Sequence, residues 1–295
     1  MVNDRQLREQ NRRSWNAVVP AHESHRLDQA AFFQRGGLTL FPEERELLGD
    51  VAHRSVVHLL CNTGQDTLSL AQLGAVVTGV DISDVAIERA RQLAAESNIA
   101  AAFECMDVYD WLQKAAKHGQ RFDIVYAAYG VVCWLHDLQQ WAQGIASVLN
   151  AGGRFVLVEF HPVSNMFNAD WQLTAAYPTG GRRLLLDGVG DYVGASLGGL
   201  TPGGYHHGVQ NFHNPEPCHL FRWGLAEVVM ALIKAGLTIE GLHEYPYVNG
   251  ERPFNDMQQI EGRRLLPPSH VPSMPLMYGL AARKSDPVGD PSHKQ

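Results

Sequence analysis

Residues 55–81, SVVHLLCNTGQDTLSLAQLGAVVTGVD, decide the architecture. The opening SVVHLL is a short apolar run with β-branched residues and predicts a strand; the turn-prone Cys61-Asn-Thr-Gly64 ends it. Leu68, Ala71 and Leu73 then recur on one helical face before Gly74 offers a stop. A second apolar run, residues 75–80, terminates in Asp81, and Ser83 is a natural N-cap for a helix over Asp84–Ser97. Strand, helix, strand, helix with strands apolar throughout belongs to a parallel sheet covered on both faces.

The alternation continues outward. Strands are expected at 102–105, 122–127 and 154–160, the last after the turn Ala151-Gly-Gly153, with a helix near 138–149 between them. An amphipathic pattern over 225–235 stops at Gly236, strands follow at 237–245 and 276–281, and no helical pattern separates them, so they are expected as an antiparallel pair at one end of the sheet. Before residue 50 there is no strand pattern; Leu7, Trp15 and Val18 fall at roughly helical spacing. The chain thus divides into a helical cap (1–50), a cofactor-binding core (51–160), an insertion (161–222), the C-terminal part of the core sheet (223–285) and a flexible tail (286–295). The insertion is rich in Gly, Pro, His and aromatics and is too long for a simple connection, which suits a lid facing the substrate.

The 295 residues are 45% hydrophobic and 19% charged, an ordinary globular composition. Asp plus Glu (31) exceeds Lys plus Arg (24), giving a formal charge of −7 without a polybasic run, which disfavours nucleic acid as a partner. Apolar runs such as 155–160 are too short to span a bilayer, and the start, MVNDRQLREQNRRSW, is polar where a signal peptide needs an apolar core, so a soluble cytoplasmic protein with no membrane partner is expected. Cys61, Cys105, Cys133 and Cys218 are widely separated and read as buried free thiols rather than a disulfide framework or zinc knuckle. A homodimer is an open alternative.

In such a sheet the ligand lies past the carboxyl ends of the strands where their order reverses. Asp81, at the end of the second strand, can accept both hydrogen bonds of a ribose diol, with Ile82 beside it; it also suits a helix N-terminal acid. Asp107 can accept from an adenine amine while Met106 and Val108 sandwich the ring, or it can be an exposed loop acid. These features, in this order over 55–108, resemble the cofactor half of the class I S-adenosylmethionine-dependent methyltransferases. The likeness extends through the strand at 122–128, the turn Leu149-Asn-Ala-Gly-Gly153 and the antiparallel final strand. It covers about 54–160 well and 225–283 loosely. It implies a three-layer, Rossmann-like α/β sheet, mostly parallel with an antiparallel C-terminal strand, and S-adenosyl-L-methionine as cofactor. Where the family's first loop reads acid-x-Gly-x-Gly-x-Gly, this chain has His58, Leu60, Asn62 and Gly64. Asn tolerates unusual backbone angles, whereas Leu60 is expected to keep ordinary strand geometry. By the family's pattern Leu60, Cys61, Asn62, Thr63 and Gly64 approach the methionine end, with Asn62 and Asp66 able to meet its ammonium or carboxylate.

A sulfonium methyl is already electrophilic, so the protein has chiefly to align an acceptor behind it and exclude water. Candidates for a base or an acceptor contact come from the strand ends: Tyr126 (also beside the cofactor) and Tyr129, then Glu159 and His161, with His136 in the segment that borders the transferred methyl in the family. Each has a duller alternative, such as His136 capping a helix, His161 shaping a turn before Pro162 or Glu159 facing solvent. Trp15 and His22 of the cap, Trp134, and Tyr205, His206 and His207 of the insertion are candidate substrate contacts. The histidine spacing matches no zinc motif, so no metal is expected. The expected activity is methyl transfer to a small molecule. The alternatives are a protein of this fold that binds without catalysing, and an NAD(P)-dependent oxidoreductase, the latter disfavoured because no G-x-G-x-x-G is present.

Overall fold

The computed structural model describes residues 3–285; the tail expected at 286–295 lies outside them. Three helices precede the first strand: α1 (Asp4–Ser24), α2 (Gln29–Gln34) and α3 (Pro42–Leu48). A capping box starts α1: the Asn3 side chain accepts the Gln6 N–H at 2.9 Å while Asn3 N–H donates to the Gln6 side chain at 3.1 Å.

The alternating core then runs β1 (Ser55–Leu59), α4 (Gln65–Gln72), β2 (Val76–Asp81), α5 (Asp84–Ser97), β3 (Ala102–Cys105), α6 (Val108–Lys117), β4 (Phe122–Ala128), α7 (Leu138–Val148) and β5 (Leu149–Phe160). The insertion holds β6 (Arg182–Leu186), α8 (Tyr192–Ala195) and β7 (Cys218–Arg222). The chain returns through α9 (Leu225–Lys234) and β8 (Leu237–Tyr245), makes a small meander of β9 (Val248–Asn249), β10 (Gln258–Ile260) and β11 (Arg264–Leu266), and ends in β12 (Met277–Lys284).

Seven strands form one sheet in the order β3-β2-β1-β4-β5-β12-β8. The strands up to β5 pair in parallel, with Val57 opposite Thr78 of β2 and Val125 of β4. Only β12 runs against its neighbours, pairing antiparallel with both β5 and β8. The expected antiparallel end of the sheet is therefore present, with the last strand inserted between the fifth and the edge. Period-two alternation explains the three layers: Val57, Leu59, Val125, Phe155 and Leu157 pack with Trp111 and Trp141 of α6 and α7, whereas Val56, Ile124 and Val156 pack with Leu47 and Leu48 of α3. The strands are apolar throughout because both faces are covered.

The structure goes beyond the sequence reading in three places. Residues 108–117 form α6, which the sequence reading did not assign, although Val108, Trp111, Leu112 and Ala115 make a buried helical stripe. The final strand extends to Lys284, because Arg283 and Lys284 pair with Thr238 and Leu237 of β8 even though their side chains are polar. The insertion carries its own hairpin against α1: β6 and β7 pair antiparallel, and the Asn11 side chain of α1 holds His219 of β7 through both its N–H (2.7 Å) and its carbonyl (3.0 Å). Among the described residues no helix is long and apolar enough to cross a membrane.

Candidate active site

A cavity of about 450 Å³ lies where β1 gives way to β4 in the sheet order, past the carboxyl ends of β1, β2 and β4. Leu60, Cys61 and Asn62 after β1, Asp81 and Ile82 after β2, and residues 106–108 at the start of α6 line one part of it. Further lining comes from Tyr129, Gly130 and Val131 after β4, Trp15 of α1, Trp134, and Tyr192 and Leu220 of the insertion.

The turn after β1 keeps a left-handed backbone at alternate residues: φ is +55° at Leu60, +49° at Asn62 and +82° at Gly64. The expectation that Leu60 holds strand geometry is thus wrong; a leucine here costs roughly 1–2 kcal/mol relative to an ordinary conformation. Surrounding bonds hold the turn. Cys61 N–H donates to the Val80 carbonyl at 3.0 Å, Gly64 N–H to the Cys61 carbonyl at 3.0 Å, and Asn62 N–H to Asp81 Oδ2 at 2.8 Å. The Asn62 side chain accepts the Thr63 N–H at 2.7 Å and donates to the Tyr192 hydroxyl at 3.3 Å, so the turn is bound to the insertion. Thr63 and Gly64 back this turn and do not line the cavity. At Gly64 a Cβ would stand 2.8 Å from the Phe103 ring.

Asp81 Oδ1 accepts the Ser83 N–H at 2.9 Å, so each carboxylate oxygen carries one backbone donor and keeps a lone pair to spare. Burial pushes this carboxyl up while the backbone donors pull it down. Asp107 is not an open loop acid: it caps α6, its Oδ1 accepting the Tyr109 N–H at 3.0 Å and an Arg8 guanidinium N–H at 2.6 Å. The cap helix is thereby ion-paired to the far wall of the cavity. Asp66 also lines the cavity; burial raises its carboxyl, and the Thr39 hydroxyl donates to it. His58, at the position of the family's loop acid, lines the cavity with Nδ1 2.9 Å from Thr67 Oγ1, and burial pushes its pKa down to about 3, leaving a neutral ring.

The candidate acceptor contacts divide. Tyr129, Trp15 and Trp134 line the cavity, the two indoles meeting edge to face at 5.2 Å. Tyr129 donates to Glu44 Oε2 at 2.7 Å and accepts from Asn249 Nδ2 at 3.0 Å. Tyr126 of β4 is fully buried, its hydroxyl on the same Glu44 carboxylate and its ring 4.7 Å from His58; it does not line the cavity. Glu44 itself is pushed up to about 8 by burial and by the charge of Asp66.

Glu159, His161 and His136 do not reach the cavity. Both Glu159 oxygens are filled by N–H donors, Gly130 and Phe160 on Oε1 (each 2.7 Å) and Val131 and Val132 on Oε2 (2.7 and 2.9 Å), so it shapes the loop after β4 instead. His161 accepts the Val163 N–H at 3.2 Å and turns its other nitrogen to Glu244 of β8, 3.0 Å away. His136 packs between Tyr109 (4.4 Å) and Phe221 (6.2 Å). Among the cap and insertion candidates, His22 is buried against Tyr192 at 4.2 Å, Tyr205 stacks on His25 at 5.8 Å, His206 N–H donates to the His25 carbonyl, and His207 is exposed. The insertion meets the cavity through residues 188–190, Tyr192 and Leu220 rather than through its histidine tip. Sequence reasoning missed Tyr192, Arg26, Arg263 and Glu251, all of which line the cavity from segments without a motif. Among the described residues no group of three or more His, Cys, Asp or Glu is gathered to hold a metal.

Residues 56–153 match the family described as a methyltransferase domain. A ubiquinone biosynthesis O-methyltransferase of Coxiella burnetii is 25% identical over 196 residues, 66% of this chain and 70% of the relative. A methyltransferase of Synechocystis is 32% identical over 118 residues, 38% of this chain and 50% of that relative. Among solved structures, an S-adenosylmethionine-dependent methyltransferase of Mesorhizobium loti superposes with a TM-score of 0.54 at 20% identity, covering 84% of this chain and 99% of that one. A methyltransferase of Streptomyces caelestis gives 0.55 at 17% identity, covering 93% and 99%. Strand order, the methyltransferase-domain match over residues 56–153 and the relatives together support a class I S-adenosylmethionine-dependent methyltransferase, with S-adenosyl-L-methionine as cofactor.

Proposed function

We propose that the enzyme methylates a hydroxyl group on a small molecule held inside this cavity, by in-line displacement. The observation that carries the reading is the origin of the lining: cap, insertion and C-terminal meander all contribute residues to one cavity of about 450 Å³, a volume suited to small ligands rather than to a polymer groove. The hydroxyl class rests on the O-methyltransferase relative.

The residues present fit the cofactor. Asp81 retains a lone pair on each oxygen for a ribose diol, and Ile82, Met106 and Val108 offer apolar walls beside Asp107 for a flat base. Asn62 and Asp66, which line the same cavity, would hold the methionine end. S-adenosyl-L-methionine supplies a methyl group already activated by its sulfonium. The chain's own residues have to orient the acceptor and keep water away, and the edge-to-face pair Trp15 and Trp134 gives an aromatic wall for both tasks. Tyr129, fixed by Glu44 and Asn249, holds a rigid hydroxyl on the β4 side.

Calorimetry with S-adenosylhomocysteine, followed by mass spectrometry of a panel of phenols incubated with enzyme and cofactor, tests the reading. Saturable binding with a methyl ether product is expected. Binding without transfer to any acceptor would return the non-catalytic alternative; transfer to amines or thiols alone would remove the hydroxyl class.

A further inference from the structure

Thirteen ionisable side chains besides one line the cavity, and all are committed to other protein groups: Arg8 to Asp107, Arg26 to Glu23, Asp66 to Thr39, His58 to Thr67, Tyr129 to Glu44 and the rest likewise. The exception is Glu251. Its backbone N–H bonds the Asn249 carbonyl at 2.7 Å, but among the described residues its carboxylate has no hydrogen bond and no ion pair. A half-buried carboxylate that lines a cavity without a protein donor is free to meet a ligand there.

Its placement is rigid. Glu251 follows β9 through Gly250, whose φ is +70° and whose N–H donates to the Arg263 carbonyl at 2.9 Å; a Cβ at Gly250 would stand 2.7 Å from Leu200 and 2.9 Å from the Gly199 carbonyl. The meander between β8 and β12 and the insertion are therefore locked together at the point that presents this side chain to the cavity.

We infer that Glu251 is the base that takes the proton from the acceptor hydroxyl. As the acceptor oxygen forms its bond to the methyl carbon, its proton passes to a Glu251 oxygen, and the methyl–sulfur bond breaks with its electron pair staying on sulfur. One carboxylate and one sulfonium become a neutral acid and a neutral thioether, and the proton returns to water before the next turnover. The charged and titratable groups that act on or with Glu251 are Glu159, Cys133 and Tyr192. Burial pushes the Glu159 carboxyl up while the two N–H donors on each of its oxygens pull it down, favouring its anionic form; burial first, and the charge of Glu159 second, push Glu251 up to about 7, where a base is useful at neutral pH.

The inference rests on the proposed hydroxyl methylation, and the test separates the two. Protein labelled with δ-¹³C glutamate and loaded with S-adenosylhomocysteine is titrated with acid and then with catechol, the Glu251 resonance being assigned by its loss in Glu251→Gln. The expected results are an inflection near neutral pH, a resonance moved by catechol, and an S-adenosylhomocysteine Kd within twofold of wild type in the variant. Catechol methylation should be at least a hundredfold slower in Glu251→Gln and partly restored in Glu251→Asp. An inflection in the ordinary carboxylate range, a resonance that catechol leaves unmoved, or equal methylation rates in the two proteins, zero included, overturns the inference. Failure of the wild type to bind S-adenosylhomocysteine counts instead against the proposed function itself.

Discussion

Asn62 and Asp81 are joined across two strands: the backbone N–H of the one donates to Oδ2 of the other at 2.8 Å, tying the left-handed turn after β1 to the end of β2. A substitution at Asp81 therefore removes a ligand acceptor and a clamp on the turn together. Asp81→Ala is expected to weaken S-adenosylhomocysteine binding at least tenfold, about 1.4 kcal/mol, with the fold retained. Asp81→Asn keeps an amide oxygen for one donor and should fall between the two. Calorimetry gives the affinities and thermal unfolding checks the fold; unchanged affinity in the alanine variant would take the ribose away from this residue.

Gly64 combines a backbone demand with a packing demand. Its φ of +82° disfavours any side chain, and a Cβ would press on the Phe103 ring at 2.8 Å and on the Ala90 methyl at 2.9 Å. Gly64→Ala should destabilise by about 2 kcal/mol, the range for overpacking a filled core. Chemical denaturation reads it. A loss below about 0.5 kcal/mol would mean that α4 and α5 yield without cost.

The sheet was legible because its strands must be apolar on both faces, a pattern that needs no partner residue to interpret. The placement of Asp81 was legible for a related reason: it stands at the end of a strand, and there it lines the cavity. The misassigned residues are those whose orientation depends on phase or on distant segments. Tyr126 within β4 and Tyr129 just past its end both bond Glu44, yet only Tyr129, where φ turns to +52°, lines the cavity. Glu159 looked available until the loop after β4 folded its N–H groups onto it. Glu251 carries no local signal at all, since its isolation is a property of what fails to pack near it.

Asn214 holds the insertion to the cap. Its buried amide donates to the carbonyls of Ser14 and Val189, both at 3.0 Å, and Val189 N–H in turn donates to Ser14 Oγ at 2.9 Å. Asn214→Ala strips donors from buried carbonyls, a cost of about 1–3 kcal/mol. Hydrogen exchange should rise across residues 182–222 while β1 and β4 keep their protection. Uniform exchange over the whole chain would show instead that cap, insertion and sheet unfold as one unit.

His58 sets an acid limit on stability. Its folded pKa, depressed by burial to about 3, lies below the 6.5 of an unperturbed histidine, so below pH 6.5 the unfolded chain binds a proton that the native ring refuses, and stability is lost as pH falls. By pH 5 this amounts to about 2 kcal/mol, 1.36 kcal/mol for each unit below 6.5. His22, depressed to about 4, adds a similar loss, whereas Glu44, raised to about 8, works the other way: its native proton is retained where the unfolded carboxylate has none, so stability falls as pH rises from 4.5 toward 8. The two signs overlap between pH 5 and 6.5, so the absolute slope of the wild type is not the diagnostic quantity. The difference between wild type and His58→Asn is, because it cancels every other group. Urea unfolding of both proteins at half-unit steps should give curves that converge by about 2 kcal/mol between pH 7 and pH 5, the variant losing less. Curves that stay parallel would mean that the native ring at position 58 accepts its proton as readily as the unfolded one, and that the loop position where relatives carry an acid holds a cation after all.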